Sequence, residues 1–207
     1  VLHIAFSSGL SGTAYAARLA AETLREEFPD RKIIVIDSLC ASLGQGLLVD
    51  YALRMKDEGK SMEETAQWVQ DHLQNICHLF TVDDLKYLQR GGRISKTTAL
   101  LGTMIGIKPV LHVDEEGKLV PLSKVRGRKQ SIQALVDKME QNIGSYRSQK
   151  QPIFISHGDC EEDAKYLAGL VKERFGYDEC LINIIGPTIG AHAGPGTLAL
   201  FFLGDVR

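Results

Sequence analysis

The chain has 207 residues, 44% of them hydrophobic, enough to bury the core of one large α/β domain or two small ones without disulfide or metal staples. Its 24 basic and 26 acidic residues leave a formal net charge of -2, which excludes a whole-chain field able to hold nucleic acid or an anionic membrane surface; any anion site must be local. The four cysteines (Cys40, Cys77, Cys160, Cys180) show no C-x-x-C spacing, and no apolar run reaches the roughly 20 residues that span a bilayer, so a cytoplasmic protein with reduced thiols and no membrane span is expected.

The apolar run Val1 to Phe6 reads as a strand and leads into the polar turn Ser7-Ser8-Gly9-Leu10-Ser11-Gly12-Thr13. Because that strand starts at once, with Val1 in place of Met, an upstream part is expected to be missing. An Ala-rich segment from Ala14 to Phe28 has helical spacing, and Pro29-Asp30 ends it. A β-branched run, Lys32 to Asp37, is followed by a second polar turn, Ser38 to Leu43, and a helical stretch through Leu53 and Met55. This β-α-β-α order predicts a parallel sheet with helices on its faces. Ser61, with Glu64 three residues on, predicts a capped helix from Met62 to about Leu73, and His78 to Val82 reads as a third strand of the same sheet.

After Asp84 the pattern changes. Leu85 to Gln89 and Ser95 to Thr103 read as short helical pieces on either side of Gly91-Gly92. Val110 to Val113 and Leu119 to Val125, separated by Asp114-Glu115-Glu116-Gly117, predict an antiparallel hairpin and the start of a second domain. Then follow a helix (Gln130 to Tyr146), a strand (Pro152 to Ser156), a helix (Glu161 to Phe175), a strand (Cys180 to Ile185), a glycine-rich loop (Gly186 to Gly196) and a last strand (Leu198 to Leu203).

Four segments have residue types suited to an anionic ligand. The turn from Ser7 to Thr13 lies after a strand of a parallel sheet, where ligands of α/β proteins bind; its hydroxyls and free N–H groups suit a carboxylate or phosphate, or Ser11 or Thr13 simply caps the helix. Arg90 and Arg93 flank a diglycine that is either a ligand-approach loop or a surface turn. Lys124, Arg126, Arg128 and Lys129 crowd a strand-to-helix junction, where basic side chains oppose the helix dipole unless an anion or acidic partner offsets them. His192 stands among small residues between Gly186 and Gly196, free either to donate to a carboxylate or to satisfy the turn. The six histidines are scattered without metal-ligand spacing, so no metal and no cofactor are expected.

In this order S-S-x-L-S-G-T, L-x-Y-L-x-x-G-G-R-I, I-K-P-V-L and G-x-x-I-G-x-H-x-G-P-G resemble the DegV family over essentially the whole chain. The resemblance implies a two-domain α/β fold: a parallel-sheet N-terminal domain, truncated here, over residues 1–105 with its connecting helices, and a mixed α/β C-terminal domain with a β-hairpin over residues 106–207. It implies a carrier, not an enzyme, that binds a long-chain fatty acid between the domains and presents it to the catalytic subunit of a fatty acid kinase for acyl-phosphate formation. By position, Ser7, Ser8 and His192 match residues near the carboxylate. Arg93 and Arg126 match basic positions tied to the kinase or acyl phosphate, with Arg90 and Arg128 as neighbours. The family's upstream T-S-Q-P-S-like segment, whose Thr also contacts the carboxylate, has no counterpart before Val1. Leu100, Leu101, Met104, Ile105 and Ile107 are candidate tunnel walls or plain core. The alternatives are a small-molecule phosphotransferase, for which a Walker lysine and a paired-carboxylate metal loop are lacking, a phosphorylated-ligand-binding regulatory protein, and a regulatory or DNA-binding protein, which the balanced charge and the lack of a helix-turn-helix do not favour.

Overall fold

The computed structural model describes residues 1–95 and 106–207; of the tunnel candidates, Leu100, Leu101, Met104 and Ile105 lie outside them, as does most of the helical piece read from Ser95 to Thr103. Strand β1 (Leu2–Ala5) and strand β2 (Ile34–Asp37) pair in parallel, Leu2 opposite Ile34 and Ala5 opposite Asp37, with helix α1 (Thr13–Glu27) as the crossover. Helices α2 (Leu43–Asp57) and α3 (Met62–Asp71) follow. The capping box at α3 is present: the Ser61 hydroxyl accepts from the Glu64 N–H at 3.2 Å, and the Glu64 carboxylate accepts from the Ser61 N–H at 2.8 Å.

The remaining strands form a six-stranded mixed sheet in the order β5-β4-β3-β8-β6-β7. They are β3 (Ile76–Thr81), β4 (Ile107–Val113), β5 (Leu119–Arg126), β6 (Ile153–His157), β7 (Cys180–Ile184) and β8 (Leu198–Leu203). The hairpin stands as expected, with Val113 opposite Leu119 and Ile107 opposite Arg126.

The assignment of the third strand to the first sheet is corrected: β3 runs antiparallel between β4 and β8 near the centre of the second sheet. Its six residues are all buried, which requires cover on both faces. One face of β3 and β8, through Ile76, Phe80 and Phe201, packs with Leu47 and Leu48 of α2 and with Ile4 and Ile36 of the small sheet. The other, through Cys77, Leu79 and Leu200, packs under helices α5 (Arg128–Asn142) and α6 (Glu161–Phe175) by way of Ile132, Leu135 and Leu167. Fully burying each such side chain is worth about 1.5–3 kcal/mol. Burial pushes the thiols of Cys40 and Cys77 up to about 12, so both behave as small apolar groups.

The described residues also form two short α-helices. Helix α4 (Lys86–Arg90) precedes the diglycine, and helix α7 (Pro187–Ala193) occupies part of the segment read as a loop. Proline at its first turn, where the fixed φ suits a helix and no N–H is missed, explains how a glycine-rich sequence starts a helix there. Helices α4 and α7 pack on each other: the Tyr87 ring fills the space beside Gly194, just past the end of α7.

Candidate ligand-binding cavity

A cavity of about 380 Å³ lies between the loops after β1 and β2 on one side and the six-stranded sheet with α4 and α7 on the other. This is within the range of small-molecule sites, roughly 300–1,000 Å³. Phe6, Leu10, Phe80, Leu88, Ile189 and Phe201 supply much of an apolar wall. Polar groups reach it at a few points: Ser11 from the loop after β1, Thr13 at the start of α1, Ser42 from the loop after β2, His78 and Ser156 from the sheet, Arg93 after the diglycine and His192 on α7.

The two segments bearing Arg93 and His192 are brought together by the packing of α4 on α7. Arg93 donates from Nε to the Leu10 carbonyl at 3.1 Å and from Nη1 to the Gly91 carbonyl, so it ties the loop after β1 to the diglycine while lining the cavity. His192 comes from the last turn of α7, directly beside Gly91. Ser11 and Thr13 share a hydroxyl–hydroxyl hydrogen bond of 2.8 Å, and the Ser11 oxygen accepts from the Thr13 N–H at 3.3 Å. The N-cap of α1 is Gly12, which has no side chain to cap with, and the Ser11 oxygen instead satisfies the free N–H of Thr13, the first residue of the helix.

Other residues read from the sequence lie elsewhere. Ser7 is fully buried; its hydroxyl donates to the Gly117 carbonyl at 2.8 Å and accepts from the Gly9 N–H at 3.1 Å. It fastens the loop after β1 to the turn of the β4–β5 hairpin, where Gly117 has φ +75 and a Cβ would stand 2.1 Å from the Ser7 oxygen. Ser8 is exposed, and its N–H donates to Asp37 Oδ1 at 3.1 Å. Neither Ser7 nor Ser8 lines the cavity. Arg126 is exposed at the end of β5, and Arg90 is exposed at the end of α4. Arg128 is partly buried, with Nε donating to Asp163 Oδ2 at 2.8 Å and Nη1 lying 3.8 Å from Asp83 Oδ1; Lys108 shares that Asp83 oxygen at 2.6 Å.

The cavity residues that escaped the sequence reading include the polar side chains of His78, Ser42 and Ser156. The one available signal was a histidine inside the apolar run of β3. His78 is 2% exposed; its Nδ1 lies 3.0 Å from the Ile76 carbonyl and its Nε2 accepts from the Ala41 N–H at 3.3 Å, an arrangement that assigns the proton to Nδ1. Burial, reinforced by the Arg207 guanidinium, holds its protonation well below the usual histidine range. The Ala41 loop itself is unusual: Leu39 and Ser42 both have φ +52, a conformation that costs a side-chain-bearing residue about 1–3 kcal/mol. Arg207 helps hold it, donating to the carbonyls of Leu39, Leu73 and Val113 from three separate segments.

Among the described residues no group of three or more His, Cys, Asp or Glu side chains is placed to hold a metal ion, and no helix is long and apolar enough to cross a membrane.

Comparison with known proteins agrees with this architecture. The family model described as "Uncharacterised protein, DegV family" matches residues 1–205. A DegV domain-containing protein of Clostridium perfringens is 47% identical over 207 residues, covering 100% of this chain and 70% of that protein. The Streptococcus pneumoniae Fatty Acid Kinase (Fak) B3 protein, solved loaded with linoleic acid, superposes with a TM-score of 0.90 at 27% identity, over 99% of this chain and 71% of that one. A Thermus thermophilus DegV family protein, described by its fatty acid binding, superposes with a TM-score of 0.84 at 30% identity, over 99% of this chain and 70% of that one. The α/β architecture of a parallel pair and a mixed six-stranded sheet is therefore that of solved DegV proteins, and the chain belongs to the DegV family.

Proposed function

We propose that this chain binds a long-chain fatty acid in the cavity and presents its carboxylate to a fatty acid kinase, acting in the cytoplasm as a carrier and not as an enzyme. The observation that carries the reading is the division of the wall: a largely aromatic and aliphatic surface interrupted by Arg93, Ser11, Thr13 and His192, with Arg93 bonded to the Leu10 and Gly91 carbonyls and His192 beside Gly91. An acyl chain gains about 0.8 kcal/mol for each CH₂ it buries, so a few head-group donors suffice for tight binding. His192, Ser11 and Thr13 hold the carboxylate, and Arg93 supplies charge to the same end. Ser7 and Ser8 act one step removed, Ser7 by seating the loop that carries Ser11 and Ser8 through its N–H on Asp37. Exposed Arg126 is open to the kinase. Of the basic junction, Arg128 is drawn to Asp163 through Nε and toward Asp83 through Nη1.

Mass spectrometry of small molecules released on denaturing the purified protein tests this reading. A near-stoichiometric long-chain fatty acid is expected; a nucleotide or phosphorylated metabolite in its place would overturn it.

A further inference from the structure

The cavity wall holds a second polar point, contributed by residues 114 positions apart. Ser42 donates its hydroxyl to the Ser156 oxygen at 3.1 Å, bridging the loop after β2 and strand β6. Both residues line the cavity, beside Ala41, Ala199, Phe80 and Phe201. Ser156 is 1% exposed, and having accepted from Ser42 its own hydroxyl proton meets no acceptor among the described residues.

Ser42 is the N-cap residue of α2, a position where a serine hydroxyl usually accepts from the first-turn N–H groups. Here it makes no such bond, and its backbone sits at φ +52, ψ -135. Both a cap and a relaxed backbone are given up, and the hydroxyl is turned toward Ser156. Strained residues of this kind persist where surrounding contacts over-determine them, typically at ligand sites. The contacts are present: the Ala41 N–H on His78, the Leu39 carbonyl on Arg207 and the Cys40 N–H on the Ser38 hydroxyl at 3.1 Å.

A saturated acyl chain lying over Ser156 would shut this donor away from water with nothing to accept its proton. We propose that Ser42 and Ser156 form a specificity subsite for an acyl chain carrying an oxygen acceptor, a keto or hydroxyl group, along its length. The oxygen takes the Ser156 proton, while Ser42 holds the Ser156 oxygen in place. The proposal rests on the fatty-acid reading above and names the kind of acid that the same cavity prefers.

The test is a binding titration of the purified protein with one saturated long-chain fatty acid and with a positional series of its mono-keto and mono-hydroxy analogues of equal length. The expected result is that one position in the series binds about tenfold more tightly than the saturated parent, the gain from satisfying one buried donor. Ser156→Ala should close that gap, tightening the parent and weakening the analogue. Ser42→Gly, which suits the backbone at that position and so guards against misfolding, should narrow it as well. A parent that binds as well as every analogue overturns the subsite, and so do variants that weaken parent and analogues alike, which would place the carboxylate at these serines. Failure of the parent and of every analogue to bind removes the fatty-acid reading and the subsite with it.

Discussion

Gly91 lies flush against His192: a Cβ on Gly91 would stand 2.2 Å from His192 Nδ1 and 3.1 Å from its Cγ. Gly91, the first of the two glycines between α4 and Arg93, is thus the floor on which the histidine of α7 rests, and any side chain at Gly91 must displace the ring, whereas Gly92 faces open space.

Gly91→Ala is therefore expected to weaken fatty-acid binding through His192. The loss should approach that of His192→Ala, about tenfold for a hydrogen bond to a charged group. Gly91 has φ -69, so the backbone admits alanine and stability should change little. Titration of both single variants and the double variant is the check; additive losses would show that Gly91 acts independently of the histidine.

Ser7→Ala should behave in the opposite way, costing stability more than affinity. It strips a fully buried hydroxyl from the Gly117 carbonyl and the Gly9 N–H, a loss of about 1–3 kcal/mol. Urea denaturation is expected to show a lower midpoint with an unchanged slope, whereas Ser11→Ala should lower affinity at near-normal stability. A Ser7→Ala protein of full stability and lost affinity would put Ser7 at the head group.

The arginines separate by position. Arg93 lines the cavity and bonds the Leu10 and Gly91 carbonyls, so Arg93→Ala should weaken lipid binding itself. Arg126 is exposed, so Arg126→Ala should leave lipid binding intact and slow acyl-phosphate formation with the kinase, with a weaker dependence on salt than the parent protein. Kinase turnover at saturating lipid, measured across ionic strength, distinguishes them; normal turnover by Arg126→Ala would remove it from the partner surface.

His78 predicts the pH dependence. Its imidazole is held neutral by burial, well below the ordinary value of 6.5, and His112 is shifted in the same direction, chiefly by burial. The unfolded chain takes up protons near pH 6.5 that the folded protein refuses. The stability these groups contribute is thus complete above that pH and is lost as pH falls below it, by up to about 1.4 kcal/mol per pH unit for each group. Urea midpoints measured between pH 7.5 and 5 should fall, and His78→Gln should flatten the slope. An unchanged slope in that variant would mean that His78 is accessible to protons in the fold.

Several features were legible without coordinates because they depend on neighbours close in sequence. The β1-α1-β2 unit follows from two apolar runs around an Ala-rich period, the α3 cap from Ser61 and Glu64, and the hairpin from matched runs around Asp114 to Gly117. His192 and Arg93 were singled out by the company they keep, a histidine among small residues and an arginine beside a diglycine, and both line the cavity. The helix α7 was missed because glycine content outweighed the signal of Pro187.

Sequence alone thus determined which segments form and which of them carry polar groups suited to an anion, since φ/ψ preference and hydrophobic period are properties of a short window. Tertiary structure decided where those groups point. The burial of β3 did not reveal that its partners would be β4 and β8, the latter more than a hundred residues away. In the loop after β1, Ser11 faces the cavity and Ser7 turns to Gly117; Ser42 meets Ser156 across the cleft. Each of these choices is made by hydrogen-bond partners and packing surfaces distant in sequence, which exist only once the two sheets have come together.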